Sequence, residues 1–189
     1  CHSNDVFPST IGPMNLDRPI GESKRLDLPY RVGVGVMLFN NRGLVWTGRR
    51  LPKWAGDRQG YIWQMPQGGL MAGEDPLDAA HRELEEETGV RNAELIAELN
   101  SWTTYDLPPE LIGIALKGRY RGQRQRWFAM RFFGDDSEID ISPRNGHKAE
   151  FDRWKWRPIA ELPEIVIGFK RPVYERLTEV FAPYARPVD

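Results

Sequence analysis

From Tyr30 onward the apolar residues fall into short runs separated by glycine, proline and asparagine punctuation. The run YRVGVGVMLF at 30–39 is rich in β-branched and aromatic residues, NNRG follows as a turn, and LVWTGRR returns. That pattern predicts a β-hairpin. LPKWAGDRQGYI reads as a long loop leading into WQMPQGG. In two places the apolar spacing becomes helical. Leu77, Ala79, Ala80 and Leu84 lie between Asp75 and Gly89, and Val173, Leu177 and Phe181 share one side of a segment running roughly from Lys170 to Val180. Between them, AELIAEL, SWTTYDLP, IGIALKGRYRG and QRQRWFAMRFF predict further strands, with a rigid turn at Pro108-Pro109. GDDSEIDISPRNGHKAEFD is polar loop, and FDRWKWRPI a short strand. Hairpin, helix, strands and terminal helix in that order predict an α/β chain of the α+β kind, with a mixed sheet between helices rather than a doubly wound repeat.

Residues 1–29 carry four prolines (Pro8, Pro13, Pro19, Pro29) and many polar residues, and read as an irregular N-terminal arm. The predicted organisation is this arm, a single domain over 30–182, and a C-terminal tail over 183–189. Position 1 is cysteine, and Met14 offers a start, so residues 1–13 are expected to be an extra leading segment. A length of 189 residues suits one domain with a core that needs no disulfide, and the single cysteine cannot form an internal one.

Lys and Arg number 26 against 27 Asp and Glu, a formal net charge of -1. That balance gives no global signal for DNA or a membrane surface, though a local basic patch suffices to hold one end of an RNA. There is no apolar run long enough to span a membrane and no signal peptide, so a cytoplasmic location is expected.

Against this neutral background the segment Gly68–Val90 carries seven carboxylates: Glu74, Asp75, Asp78, Glu83, Glu85, Glu86 and Glu87. Asp75 can cap a helix, Pro76 suits its first turn, and Gly89 can end it. On that helix Glu83, Glu86 and Glu87 stand at i, i+3 and i+4, on one face, where like charges repel. Taken alone, such a trio fits an ordinary solvated acidic face. It equally fits a site for Mg²⁺ or Mn²⁺, which take hard oxygen ligands. Arg82 can reach Glu86 and hold it in place. Glu74, near the helix start, favours a structural role in the loop. Gly68, Gly69 and Gly73 permit tight turns and close approach to a ligand, and the Gly68 carbonyl is a candidate metal ligand.

The spacing of Gly68, Glu74, Arg82, Glu83, Leu84, Glu86, Glu87, Gly89 and Val90 resembles the nine-position signature of the Nudix hydrolases. These enzymes cleave a nucleoside diphosphate linked to another group. YRVGVGVMLFN, VWTGRR, WQMPQGG, SWTTYDLP, GQRQRWFAMRF, AEFDRWKW and GFKRPVYE extend the resemblance over roughly 30–181. They point to the bacterial RNA pyrophosphohydrolases and the asymmetrical diadenosine tetraphosphate hydrolases.

The resemblance implies an αβα sandwich with a loop-helix-loop catalytic motif. It implies Mg²⁺ as cofactor, with Gly68, Glu83, Glu86, Glu87 and Glu150 as ligands. Arg82 would steady the acidic face, and Glu150 would complete a metal site or assist the attacking water. Arg31, Arg50 and Lys170 would contact substrate phosphates, and Tyr105 and Phe169 would stack a base. Gly69, Gly73, Glu74 and Gly89 would be structural. His147 and Lys148 read as solvated loop residues beside Glu150, and Arg124 and Arg126 as a solvated strand face. The long loop after Arg50 favours the tetraphosphate hydrolase branch.

The expected reaction is Mg²⁺-dependent hydrolysis of nucleoside 5′-polyphosphates. It would convert diadenosine tetraphosphate to ATP and AMP, remove pyrophosphate from 5′-triphosphorylated RNA, or do both. The alternatives are a pyrophosphatase for nucleotide sugars or oxidised nucleotides, and a non-catalytic nucleotide- or RNA-binding module.

Overall fold

The structure is a computed structural model and describes residues 27–189. The segment expected over 1–13 and nearly all of the arm lie outside the described residues. Eight strands form one mixed sheet. They are β1 (Tyr30–Phe39), β2 (Val45–Arg50), β3 (Trp63–Gln64), β4 (Gln67–Gly69), β5 (Glu94–Glu98), β6 (Thr103–Asp106), β7 (Gly122–Arg131) and β8 (Phe151–Arg157). The main path runs β3-β2-β1-β7-β5, while β4 pairs with β1, β6 with β7 and β8 with β2. Among the described strands only β1 and β7 are parallel, in unbroken register from Tyr30 opposite Gly122 to Phe39 opposite Arg131.

From Val34 to Phe39 and from Trp127 to Met130 these two central strands are apolar on both faces because each face is covered. On one face Val34, Val36, Leu38, Phe128 and Met130 pack against Ala79, Ala80 and Leu84 of helix α1 (Pro76–Thr88). On the other, Met37, Phe39, Trp127 and Ala129 pack against Tyr174, Leu177 and Phe181 of helix α3 (Arg171–Phe181). The expected αβα layering follows from that alternation. Each large side chain on α3 gains roughly 1.5–3 kcal/mol from burial. Tyr174 is also a fastener: its hydroxyl accepts a hydrogen bond from the Met65 N–H at 2.9 Å, tying α3 to the β3–β4 connection.

The expected strand at IGIALKGRYRG does not form before Gly122. Residues Ala115–Gly118 make a tight 3₁₀ turn in which Leu116 and Lys117 adopt φ of 53° and 59°. Gly113 and Gly118 flank it with φ of 83° and 70°, so the chain winds rather than extends. A short helix α2 (Leu162–Ile165) also precedes α3. The stretch read as a tail is docked: the Arg131 guanidinium donates to the Tyr184 carbonyl at 2.9 Å, and the Val188 N–H to the Asn41 carbonyl at 2.8 Å. Among the described residues no helix is long and apolar enough to cross a membrane.

Candidate active site

Helix α1 begins where the sequence places it. Asp75 Oδ1 accepts from the N–H groups of Leu77 and Asp78 at 2.9 and 3.3 Å, and Pro76 needs no N–H partner. It ends at Gly89, whose φ of 76° is left-handed and whose N–H donates to the Glu85 carbonyl at 2.8 Å. Burial of Ala79, Ala80 and Leu84 fixes the rotation of the helix, so Glu83 and Glu87 turn toward the β4 backbone while Glu86 faces Arg82 and His147. Glu85 points elsewhere and meets Arg91 at 2.9 Å.

Arg82 organises the loop and the acidic face together. Its Nε and Nη2 donate to the two oxygens of Glu74 at 2.7 and 2.9 Å, and Nη2 also donates to the Gly69 carbonyl at 2.9 Å. Its Nη1 donates to Glu83 at 2.8 Å and lies 3.4 Å from both Glu86 oxygens. The Arg82 fork and the Met71 N–H hold Glu74 down to a pKa of about 2. Gly73 turns the intervening loop with φ of 75°. Gly68 lies so close to the helix that a Cβ there would collide with the Glu83 carboxylate. Gly69 stands beside the Arg31 guanidinium.

Burial raises the Glu83 carboxyl above the ordinary range, against the pull of Arg82. Glu87 is raised further, by burial first and then by the neighbouring charges of Glu150 and Glu83. One of its oxygens, Oε2, accepts from the Gln67 N–H at 3.2 Å. Glu150 immediately precedes β8 and approaches two cations: Arg50 Nε at 3.5 Å and Lys53 Nζ at 3.1 Å.

Lys170, at the head of α3, is buried and donates to Gln64 Oε1 at 3.2 Å, with its ammonium 5.4 Å from the Tyr105 ring centroid. Burial, then Arg50 and Lys53, lower it to a pKa of about 7. Tyr105 and Phe169 meet at a centroid distance of 5.5 Å and also belong to the core under α3. Burial pushes the Tyr105 phenol up.

The structure therefore gathers Gly68, Glu83, Glu86, Glu87 and Glu150 with Arg31, Arg50, Lys170, Tyr105 and Phe169. The carboxylates do not stand as a preformed ligand cluster: among the described residues no three His, Cys, Asp or Glu side chains are grouped to hold a metal. The reason is visible in their bonds. Glu83 and Glu86 face Arg82, while Glu87 faces Gln67. The donor set still fits a hard divalent cation, because the charges of Glu83 and Glu150 press on buried Glu87 and a cation would relieve that repulsion.

Arg124 and Arg126 are not simply solvated, since their guanidinium carbons lie 4.8 and 5.7 Å from the Trp102 ring centroid. His147 Nε2 lies 3.6 Å from Glu86 Oε1. Sequence reasoning missed Lys53, Asp57, Gln64 and Gln67. The two glutamines in WQMPQGG, flanked by buried apolar residues, were the available signal; the loop residues carried none.

A loop-helix-loop with this signature, laid across an αβα sandwich, defines a hydrolase of phosphorus-containing anhydrides. The NUDIX domain family matches residues 29–177, and the chain belongs to that family. It is 54% identical over 173 residues to the RNA pyrophosphohydrolase of Mesorhizobium japonicum, covering 87% of this chain and 99% of that one. It is 56% identical over 163 residues to the RNA pyrophosphohydrolase of Rhizobium meliloti, covering 85% and 98%. Among solved structures, the MutT protein of Methanosarcina mazei shares the fold with a TM-score of 0.59 at 16% identity, covering 82% of this chain and 96% of that one.

Proposed function

We propose that the chain removes pyrophosphate from 5′-triphosphorylated RNA, and that the same site hydrolyses diadenosine tetraphosphate asymmetrically to ATP and AMP, both with Mg²⁺. The observation that carries this reading is the facing of two charge sets. Glu83, Glu86, Glu87 and Glu150 oppose Arg31, Arg50, Lys53 and Lys170, and Arg50 Nη1 and Gln67 Oε1 are buried without a protein partner. Unpartnered buried polar atoms are costly, and a phosphate chain with its bound water supplies what they need. The identity to RNA pyrophosphohydrolases supports the RNA substrate.

Glu83, Glu86, Glu87, Glu150 and the Gly68 carbonyl would hold Mg²⁺, which when bound neutralises phosphate oxygens and lowers the pKa of a water. The chain's own residues do the positioning on which phosphoryl transfer depends. Arg50 offers a forked donor set and Lys170 a point charge to the phosphates. Tyr105 and Phe169 hold a base at one end, a contact tolerant of base identity. Glu87, which burial and the neighbouring charge of Glu150 make more basic, is placed to take the proton of the attacking water, its Oε2 accepting from the Gln67 N–H.

The test is turnover of 5′-triphosphorylated RNA and of diadenosine tetraphosphate by the purified chain, with Mg²⁺ and with chelator. A 5′-monophosphate RNA end, and ATP with AMP, are expected only with the cation. Turnover of nucleotide sugars in preference to both would overturn the reading, and so would a fully active Glu87→Gln variant.

A further inference from the structure

The loop between β2 and β3 carries a cation that neither the signature nor the neighbouring motifs contain. Its frame is Asp57, whose carboxylate is fully buried. Oδ2 accepts from the Lys53 N–H at 2.9 Å and meets Arg50 Nη2 at 3.2 Å, while Oδ1 accepts from the Gln59 N–H at 2.9 Å. The ends are stitched to the sheet as well: the Arg50 N–H donates to the Ile62 carbonyl and the Leu51 N–H to the Glu150 carbonyl, both at 2.9 Å. A buried carboxylate joined to its loop and to a site arginine fixes where the Lys53 backbone stands.

The Lys53 side chain is free by comparison. It is 53% exposed, against 7% for Arg50, and its Nζ lies 3.1 Å from Glu150 Oε1. Arg50 Nε approaches the same oxygen at 3.5 Å. Glu150 is therefore shared between one buried cation and one exposed cation. A lysine on a pinned backbone has a flexible four-carbon stem and a compact charge, so it can leave a carboxylate for a phosphate without moving the loop. Arg50 and Lys170, by contrast, are buried.

We infer that Lys53 determines specificity for polyphosphate length: it binds the phosphates that extend beyond those held by Arg50 and Lys170, exchanging Glu150 for the substrate. This rests on the polyphosphate reading above. The long β2–β3 loop then has a task, which is to hold one more cation beside the phosphates.

The experiment compares wild type, Lys53→Met and Lys53→Arg on 5′-triphosphorylated RNA and on diadenosine tri-, tetra- and pentaphosphate. The methionine variant should raise KM about three- to tenfold on the tetra- and pentaphosphates, the size of one exposed charge-assisted contact, and less on the triphosphate substrates. Arginine should restore the lost affinity, and kcat should stay within about twofold, since the contact binds ground and transition states alike. Inorganic tetrapolyphosphate binding, measured by calorimetry, should weaken by a similar factor.

A KM change equal at every chain length, or no change, would overturn the inference. So would an equal fall of kcat on all substrates, which would mean that Lys53 acts by tuning Glu150. If the wild type turns over none of these substrates, the polyphosphate reading fails first and Lys53 falls with it.

Discussion

Replacing Arg82 removes a group that joins the loop before α1 to the acidic helix face. The structure gives it four good bonds: two to Glu74 at 2.7 and 2.9 Å, one to Glu83 at 2.8 Å and one to the Gly69 carbonyl at 2.9 Å. Bonds to charged groups contribute about 1.5–3 kcal/mol when buried, whereas exposed ion pairs contribute about 0–1 kcal/mol. Arg82, Glu74 and Glu83 are 23%, 17% and 13% exposed, between those limits. Arg82→Met should therefore cost about 2–4 kcal/mol, a fall of roughly 5–12 °C in Tm for a chain of this size. Arg82→Lys keeps the charge without the fork and should lose about half as much.

A double-mutant cycle with Glu74→Gln, read by urea unfolding, should return a coupling of about 1–2 kcal/mol. The pH dependence has a definite sign. Glu74 is held near 2 against an ordinary 4.5, so its contribution is complete above about pH 4.5 and disappears as pH falls toward 2. The gap in stability between wild type and Glu74→Gln should close over that window. An Arg82→Met protein within about 0.5 kcal/mol of wild type, or an additive cycle, would refute the account.

Gly68→Ala should leave the fold intact but drive the Glu83 carboxylate from its place, lowering kcat on either substrate about a hundredfold, as misplacement near reacting groups does. Lys170 titrates near 7, so its charge is present below that pH and lost above it. KM for a polyphosphate should rise as pH climbs through 7, and Lys170→Arg, which stays protonated, should flatten that limb. Tyr105→Leu should raise KM about tenfold, the equivalent of about 1–3 kcal/mol of base stacking, with a smaller change in kcat. A matched loss of kcat would instead mark Tyr105 as a core residue only.

What the sequence made legible were the features enforced by local chemistry. Asp75, Pro76 and Gly89 announce both ends of α1, and the alternating apolar residues of β1 and β7 announce a sheet covered twice. IGIALKGRYRG alternates like a strand, but Gly113 and Gly118 at positive φ wind it instead. The acidic helix was legible as a face, but not the partition of its carboxylates between Arg82 and Gln67, which depends on where β4 runs. Lys53 and Asp57 were silent because a loop residue gains meaning only from what the fold sets opposite it. No periodicity places Lys53 against a carboxylate almost a hundred positions further on.

The hydroxyl of Tyr174 on the Met65 N–H has a consequence for the order of events in the cell. Lys170 reaches Gln64 only when α3 is seated, and β1 finds its parallel partner only when β7 exists. A ribosome-bound chain that has made the whole signature helix still lacks the strand that flanks it and the lysine that would grip its substrate. Non-local pairing of this kind is slow to form. On the proposed reading, the growing polypeptide should stay inert toward nucleotides until α3 has been made and seated.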